Sequence, residues 1–553
     1  MMQRRDFLTS FAGGIVSSAL LRPGSLAGPA TLDLRTPLRL ALSCIVNRMD
    51  PDENYRPWFA VDVKNGVPTK LRHDVWDFGD MSGRFLEALI MARNMIEPTT
   101  TMRQAEARIR KFLESLQGSS GLVMNPDQGR PDHMFSQGSA LFGLVTDFDD
   151  SRDPALKLRI QTLIQALNAR AQHASDYLWF PEVATAISPC AHMAAYQVLP
   201  VVRFYELTGD PPALRYAEKL SRWAFYEDTT VTVEGVITKS GWEGHLHAWM
   251  DTYTGVIRCA RAGGNLNLQE VVARSHKLFE WVRLNETAPF GWVADSVGST
   301  TCETCTISSA IRLALELIRE GYTEYWNDIE RFVRNQLIQN QFQDVSRLQI
   351  QDPATARGLR GAFESYADPN TLIAIDNGTI EGCCINGGIR CLFLAYQNAI
   401  HETDDAIRIN LLISQATAGI KVVSSFPHQG RIELYPRCSK TIWVRCPDWL
   451  SLKDVVVAGP VGMIHDTDAA THSLRLRGAR AGTSIILTLP QRDETTKYVV
   501  GGKQYEVRWK GDTVLSLTPL GKTYPLYQRS ANLRRDALFE PLDETYRQPK
   551  VQW

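Results

Sequence analysis

From about residue 75 to 405 the chain repeats apolar positions at three- and four-residue spacing. Phe85, Leu86, Leu89, Ile90 and Ala92 make one such set, and Ile307, Ile311, Leu315 and Ile318 another. Spacing of this kind gathers each set on one face of a helix, so it predicts a run of amphipathic helices. Glycines punctuate the run where a left-handed residue closes a helix. The segments YELTGDPPALRYAEKL, ARAGGNLNLQEVVARS and LIREGYTEYWNDIERF share one plan: helix, glycine, short polar turn, helix. Their glycines Gly209, Gly264 and Gly321 stand 55 and 57 residues apart and are expected to cap the first helices of successive hairpins, all on one rim. Similar helix ends near Glu97 and Ser151 extend the rhythm backwards. A period of about 56 residues is one helical hairpin, and roughly six fit before residue 405. Closed into a ring they make an (α/α)6 toroid or barrel; an open superhelix of helix pairs is the alternative.

After about residue 405 the periodicity changes to alternation. KTIWVRCPDWL, HSLRLRG, TSIILTLPQ and YEVRWKGDTVLSLTPL are rich in branched and aromatic residues, with Lys510-Gly511-Asp512 as a tight turn. The pattern predicts a C-terminal antiparallel β-sandwich domain over residues 406–530, a loosely ordered tail over 531–553, and a mainly α barrel over 28–405. Residues 342–384 contain several glycines and little periodicity, and read as a long ordered loop; such loops inside compact domains usually serve function.

The first 27 residues belong to neither domain. Arg4-Arg5, a charge-free stretch from Phe7 to Leu21 and a small-residue site ending at Ala27 form a twin-arginine export signal. The apolar stretch is too short and too polar to span a bilayer. The expected location is therefore periplasmic or extracellular. Removing residues 1–27 takes away three arginines and one aspartate and leaves 57 basic and 60 acidic residues. Nothing in that balance suggests nucleic acid or an anionic membrane as partner.

Export changes how the ten cysteines are read. A chain of this length buries ample core without disulfide staples, and four cysteines cluster at 302, 305, 383 and 384, which favours a metal site. Cys302-Glu303-Thr304-Cys305 opens one helix and Glu381-Gly382-Cys383-Cys384-Ile385-Asn386-Gly387-Gly388 precedes another. Thiols at helix N-termini are stabilised as thiolates, the form that binds zinc and the form that attacks. Blander readings stand beside this one: Thr300 and Glu303 as a capping box, and Cys383-Cys384 as buried thiols or a strained disulfide.

CETC followed by GCCINGGIR in a helical toroid resembles glycoside hydrolase family 127, the β-L-arabinofuranosidase-like enzymes, in which ETC and CC motifs build a zinc site. GHLHAWMDTYTG, DHMFSQGSALFGLV and VRWKGDTVLSLTPLGKTYPLYQR extend the likeness over most of residues 40–530. The resemblance implies zinc held by Glu303, Cys305, Cys383 and Cys384, with Cys383 also the nucleophile of a retaining glycosidase. It implies substrate contacts from His133 and His245, and an acid/base ahead of the ETC motif. Glu286 and Asp295 are the candidates there; Asp295 is preferred because Phe290-Gly291-Trp292 beside it looks like a sugar-stacking wall. The expected partner is an oligosaccharide or polysaccharide.

Cys302 departs from the family. It creates a Cys-x-x-Cys spacing that suits an all-cysteine structural site equally well. On a helix Cys302 and Cys305 face one way without Glu303; on an extended segment Glu303 and Cys305 point together. A toroidal polysaccharide lyase or epimerase, which needs no thiolate, and a non-catalytic carbohydrate-binding protein with a structural zinc are the rival functions.

Overall fold

The computed structural model describes residues 31–63, 68–181, 191–346, 348, 350–373, 378–529, 539–540 and 546–553. Residues 1–27, where an export signal is expected, and Cys190 lie outside the described residues. Fourteen helices are described: α1 (Arg35–Val46), α2 (Ser82–Arg93), α3 (Thr100–Ser115), α4 (Met134–Ser151), α5 (Pro154–Arg170), α6 (Ala191–Ala195), α7 (Val198–Thr208), α8 (Pro211–Arg222), α9 (Leu246–Arg261), α10 (Leu268–Asn285), α11 (Thr304–Arg319), α12 (Trp326–Phe332), α13 (Pro353–Leu359) and α14 (Gly382–Ala399).

Among the described residues α2, α4, α7, α9, α11 and α14 form an inner ring. Each packs on the next, and α14 returns to α2 to close it. Helices α2, α4, α9, α11 and α14 are buried almost all round, as a ring interior requires. Outer helices α3, α5, α8 and α10 bury a single stripe, such as Leu156, Ile160, Leu163, Ile164 and Leu167 of α5. The toroid is therefore closed, but its sixth pair is not a simple hairpin. The described outer partner of α14 from far along the chain is α1, so a helix before residue 75 joins the seam.

The hairpin turns follow the expected chemistry. Gly209 closes α7 in the left-handed region and Asp210 caps α8 through Ala213 N–H. Gly321 takes φ +107° after α11; after α9 the positive φ falls on Gly263 rather than Gly264.

The C-terminal region packs two five-stranded sheets around a core that includes Ile407, Ile442, Val444, Ile432, Leu434 and Ile485. Pairing is antiparallel except between Ala406–Ile409 and Thr441–Arg445, which run parallel. A separate three-stranded antiparallel sheet (Asp493–Val500, Lys503–Lys510, Thr513–Thr518) turns at Gly511 and is fastened to the toroid, where Asn335 bonds Asp512 O and Val514 N–H. The final residues are not loose: Trp553 is 6% exposed, packs on Phe142 and donates to Thr146 of α4. Among the described residues no helix is long and apolar enough to cross a membrane.

Candidate active site

Two helix N-termini meet inside the ring. Helix α11 starts after Glu303, which is extended (φ −107°, ψ 131°), and α14 starts after Glu381, which is also extended. The extended cap sends Glu303 and Cys305 the same way and Cys302 elsewhere. Glycine makes the approach possible: a Cβ on Gly387 would lie 3.0 Å from Cys305 Cα, and one on Gly388 would run into the Phe363 ring. Below the junction, Glu87 of α2 accepts from Arg312 of α11 and from Asn386 and Arg390 of α14. This fully buried cluster fixes the three helices in register.

The result is a compact donor set. Single ligand atoms of Glu303, Cys305, Cys383 and Cys384 all lie within 4.8 Å of one another. Cys305 Sγ is 3.8 Å from Cys384 Sγ, which is 3.9 Å from Cys383 Sγ and 3.9 Å from Glu303 Oε1. Two thiolates at normal zinc distance in a tetrahedron stand about 3.8 Å apart, so the set fits zinc. Its electrostatics agree. Hydrogen bonds from Cys383 and Cys384, with help from His247 and Arg84, outweigh burial and hold the Cys305 thiol well down. Hydrogen bonding to Cys305 pushes Cys383 up, and burial does the same to Cys384. One thiol favours the thiolate and its two neighbours keep their protons, and a bound dication would favour the thiolate at all three.

Cys302 lies outside this set. Its backbone exchanges hydrogen bonds with Ala367, its sulfur accepts from Asn340, and burial pushes its thiol up to about 12. The four candidate donors brought together are therefore one glutamate and three cysteines, as the family resemblance implies, and not the four cysteines of the rival reading. The described cysteines are all free, so the vicinal disulfide is absent among them.

Cys383 and Glu303 open into a cavity of about 460 Å³ that Asp295 and His245 also line. His245 caps α9 and bonds Glu303 Oε2 at 2.9 Å; burial opposes its protonation, but the Glu303 carboxylate outweighs that and raises it. Burial pushes Glu303 up to about 7, with the negative charge at Cys305 adding to the rise. Asp295 accepts from Thr301 and Ser296. Glu286, the other candidate, accepts from Gly298 N–H and is not among the residues lining the cavity.

Two expectations need correction. Trp292 is 2% exposed and spends its indole N–H on Ala367 O; it is core, not a sugar wall. His133 caps α4 beneath Trp76, with ring centroids 4.9 Å apart, and does not line the cavity.

The aromatic wall comes instead from Trp76, Phe135 and Trp242; Trp242 is 45% exposed and stacks on His245 at 7°. Sequence reasoning also missed His247, Asp80, Arg84, Tyr366 and Glu381. Burial keeps His247 neutral, between Ser309 Oγ at 2.6 Å and Arg84. Asp80, on a π-helical turn, accepts from Arg84 at 2.7 Å. Tyr366, supplied by the long loop, donates to Glu381, whose other oxygen is 3.5 Å from Cys383 Sγ; burial pushes Glu381 up to about 7. Signals existed: His247 is two residues from His245, Glu381 two from Cys383, and Asp80 and Arg84 are an i,i+4 charge pair in an apolar helix.

No protein-family model and no curated protein matches the sequence. Solved structures do match. A family 127 β-L-arabinofuranosidase from Geobacillus stearothermophilus T6 aligns over 87% of this chain and 80% of its own, with TM-score 0.58 and 13% identity. A second family 127 β-arabinofuranosidase aligns over 88% and 84%, with TM-score 0.61 and 13% identity. A structure described as a glycoside hydrolase aligns over 79% and 77%, with TM-score 0.56 and 14% identity. At such identity the likeness establishes the fold: a six-pair helical toroid followed by a β-sandwich.

Proposed function

We propose that this chain is an exported, zinc-dependent retaining glycoside hydrolase of the β-L-arabinofuranosidase type, with Cys383 as nucleophile and an oligosaccharide or polysaccharide fragment as substrate. One observation carries the reading: a buried glutamate and three thiols, ligand atoms within 4.8 Å, opening through Cys383 into an aromatic-walled cavity. The fold shared with two β-arabinofuranosidases supports it.

Glu303, Cys305, Cys383 and Cys384 would hold the zinc, which when bound keeps sulfur ionised near neutral pH and makes it a better leaving group. Cys383 sits in the first turn of α14, where free backbone N–H groups work against the rise that hydrogen bonding to Cys305 imposes on its thiol. It attacks the anomeric carbon; the C–S bond forms as the bond to the leaving oxygen breaks. Asp295 gives that oxygen its proton, then takes one from the water that releases the sugar from sulfur. Glu381 is unsuited to this role because it touches the nucleophile itself, leaving no room for a sugar ring between them. Trp242 offers its exposed face to the sugar, and His245, stacked on Trp242 and lining the same cavity, stands beside it.

A panel of nitrophenyl glycosides, pentofuranosides first, tests the activity. Cys383→Ser should keep most of its zinc and lose turnover by about 10³-fold or more, since serine has no low-pKa anion to offer. Cys384→Ser should lose zinc, and activity in proportion. An activated cyclic sugar trap should label the Cys383 peptide. A trap adduct on Glu303 or Asp295, or a Cys383→Ser enzyme that still turns over, would return the chemistry to carboxylates.

A further inference from the structure

A second cavity, of about 550 Å³, lies between the toroid and the sandwich and shares no lining residue with the thiol site. One side is a sheet face. Register pairs His401 with Arg408, Arg408 with Trp443, and Trp443 with Arg475, so the four side chains form one row across four strands. Their strand neighbours Ile407, Ile442, Val444 and Leu474 are buried in the sandwich, so the row faces outward. The other side is helical and includes Arg319 of α11 and Trp326 at the start of α12.

The lining carries one sign of charge. Arg319, Arg408 and Arg445 contribute to it, and among the described residues no aspartate or glutamate does. Arg445 is bound to Glu330, and Arg319 to Glu316. Arg408 makes no ion pair among the described residues. Instead its guanidinium lies over the Trp443 ring, 4.9 Å from the centroid, with Arg475 also over that ring at 5.1 Å. Stacking holds a guanidinium in place while leaving its N–H edge free for a carboxylate or sulfate. Trp443 is thus occupied by arginines, but the half-buried Trp326 ring has no aromatic or cationic partner among the described residues. Asn398 and Asn410 also line the cavity, each with its amide nitrogen already donating to a backbone carbonyl. An oriented guanidinium and a half-buried indole lining one concave site are groups that recognise an acidic sugar.

We propose that this cavity binds an acidic saccharide, a sugar unit bearing a carboxylate or sulfate ester, with Arg408 taking the anion and Trp326 the C–H face of the ring. The inference does not rest on the activity of the thiol site.

Calorimetric titration of the full chain with digalacturonate, galactose 6-sulfate, galactose and sodium sulfate tests it. One or both acidic sugars should bind, and which does so separates uronate from sulfate ester. Galactose and sodium sulfate should each bind about tenfold more weakly or worse. Arg408→Gln, at an exposed strand position, should keep the melting temperature and weaken acidic-sugar binding by about tenfold. Trp326→Ala, checked for folding by circular dichroism, should also weaken it. Prior alkylation of Cys383 with iodoacetamide should leave it unchanged. Equal binding of galactose, no effect of Arg408→Gln, loss on alkylation, or no binding of either acidic sugar would overturn the proposal. Sodium sulfate binding as tightly as the sugars would reduce the cavity to an anion site and overturn the saccharide part.

Discussion

Asp295 and Glu381 share one cavity but are built for different work. Asp295 is held by the hydroxyls of Ser296 and Thr301, whereas Glu381 is buried, bonded to Tyr366 and in contact with Cys383. If Asp295 protonates the leaving group, its loss should matter most when that group departs reluctantly. Asp295→Asn should lower kcat/KM for alkyl or nitrophenyl glycosides by about 10²–10⁴-fold, with much of the loss recovered on dinitrophenyl substrates. Glu381→Gln should slow both classes alike, because it perturbs the thiol rather than the departing oxygen. A leaving-group series on both variants checks this, and a flat series for Asp295→Asn would exclude it as the acid. At this scale the sequence was legible where residues sit within a motif: CETC and GCCINGG hold the whole donor set. It misled at Trp292, because apolar bulk beside a candidate carboxylate does not reveal exposure. Trp292 turned inward to Ala367, and the exposed indole is Trp242.

Helices meet here through small residues. A Cβ on Gly83 of α2 would lie 2.2 Å from Ser139 O of α4, and one on Gly143 would lie 2.5 Å from Gly83 O. Alanine is the better helix former by about 1 kcal/mol, but two backbones cannot separate without disturbing the ring on both sides. Gly83→Ala is expected to destabilise by about 3 kcal/mol or more, beyond that gain. Gly209→Ala meets open space and strains only one left-handed residue, costing about 1–2 kcal/mol. Denaturant unfolding of the two variants compares them; equal losses would mean that the α2–α4 crossing can relax. Helix existence and turn chemistry were legible in the sequence, since Asp210 and Asn267 announce helix starts by type alone. The geometry of Glu303 was not. Whether it continues a strand-like segment or begins a helix depends on Ala367, which bonds Cys302 from a loop 65 residues away.

Ring closure buries charge and histidine at the centre of the molecule. His192 donates to Trp242 O, stacks on Trp249 and is driven down to about 3, by burial first and the neighbouring His245 second. An unfolded histidine titrates near 6.5. Between these values the unfolded chain binds the extra proton, so the stability that neutral His192 allows is full above pH 6.5 and declines as pH falls toward 3. At pH 5 the loss is about 2 kcal/mol. Thermal melts at pH 7 and pH 5 should show His192→Gln less stable than the parent at pH 7, with the gap narrowing at pH 5. A constant gap would mean that His192 takes its proton while folded.

Local periodicity in the sequence carries the fold class, the change from helix to strand near residue 405 and the hairpin rhythm, and two contiguous motifs gather the candidate donors without choosing among them. Tertiary structure alone decided how the ring closes, with α1 beside α14, and which residues face its cavity. It also left Cys302 outside the donor set, put His133 behind Trp76 and drew Trp553 under α4. The reason is physical: a helix face is set by spacing of three and four residues. Exposure at a cavity wall, or the direction of one cap residue, is set by contacts from segments that no local pattern connects.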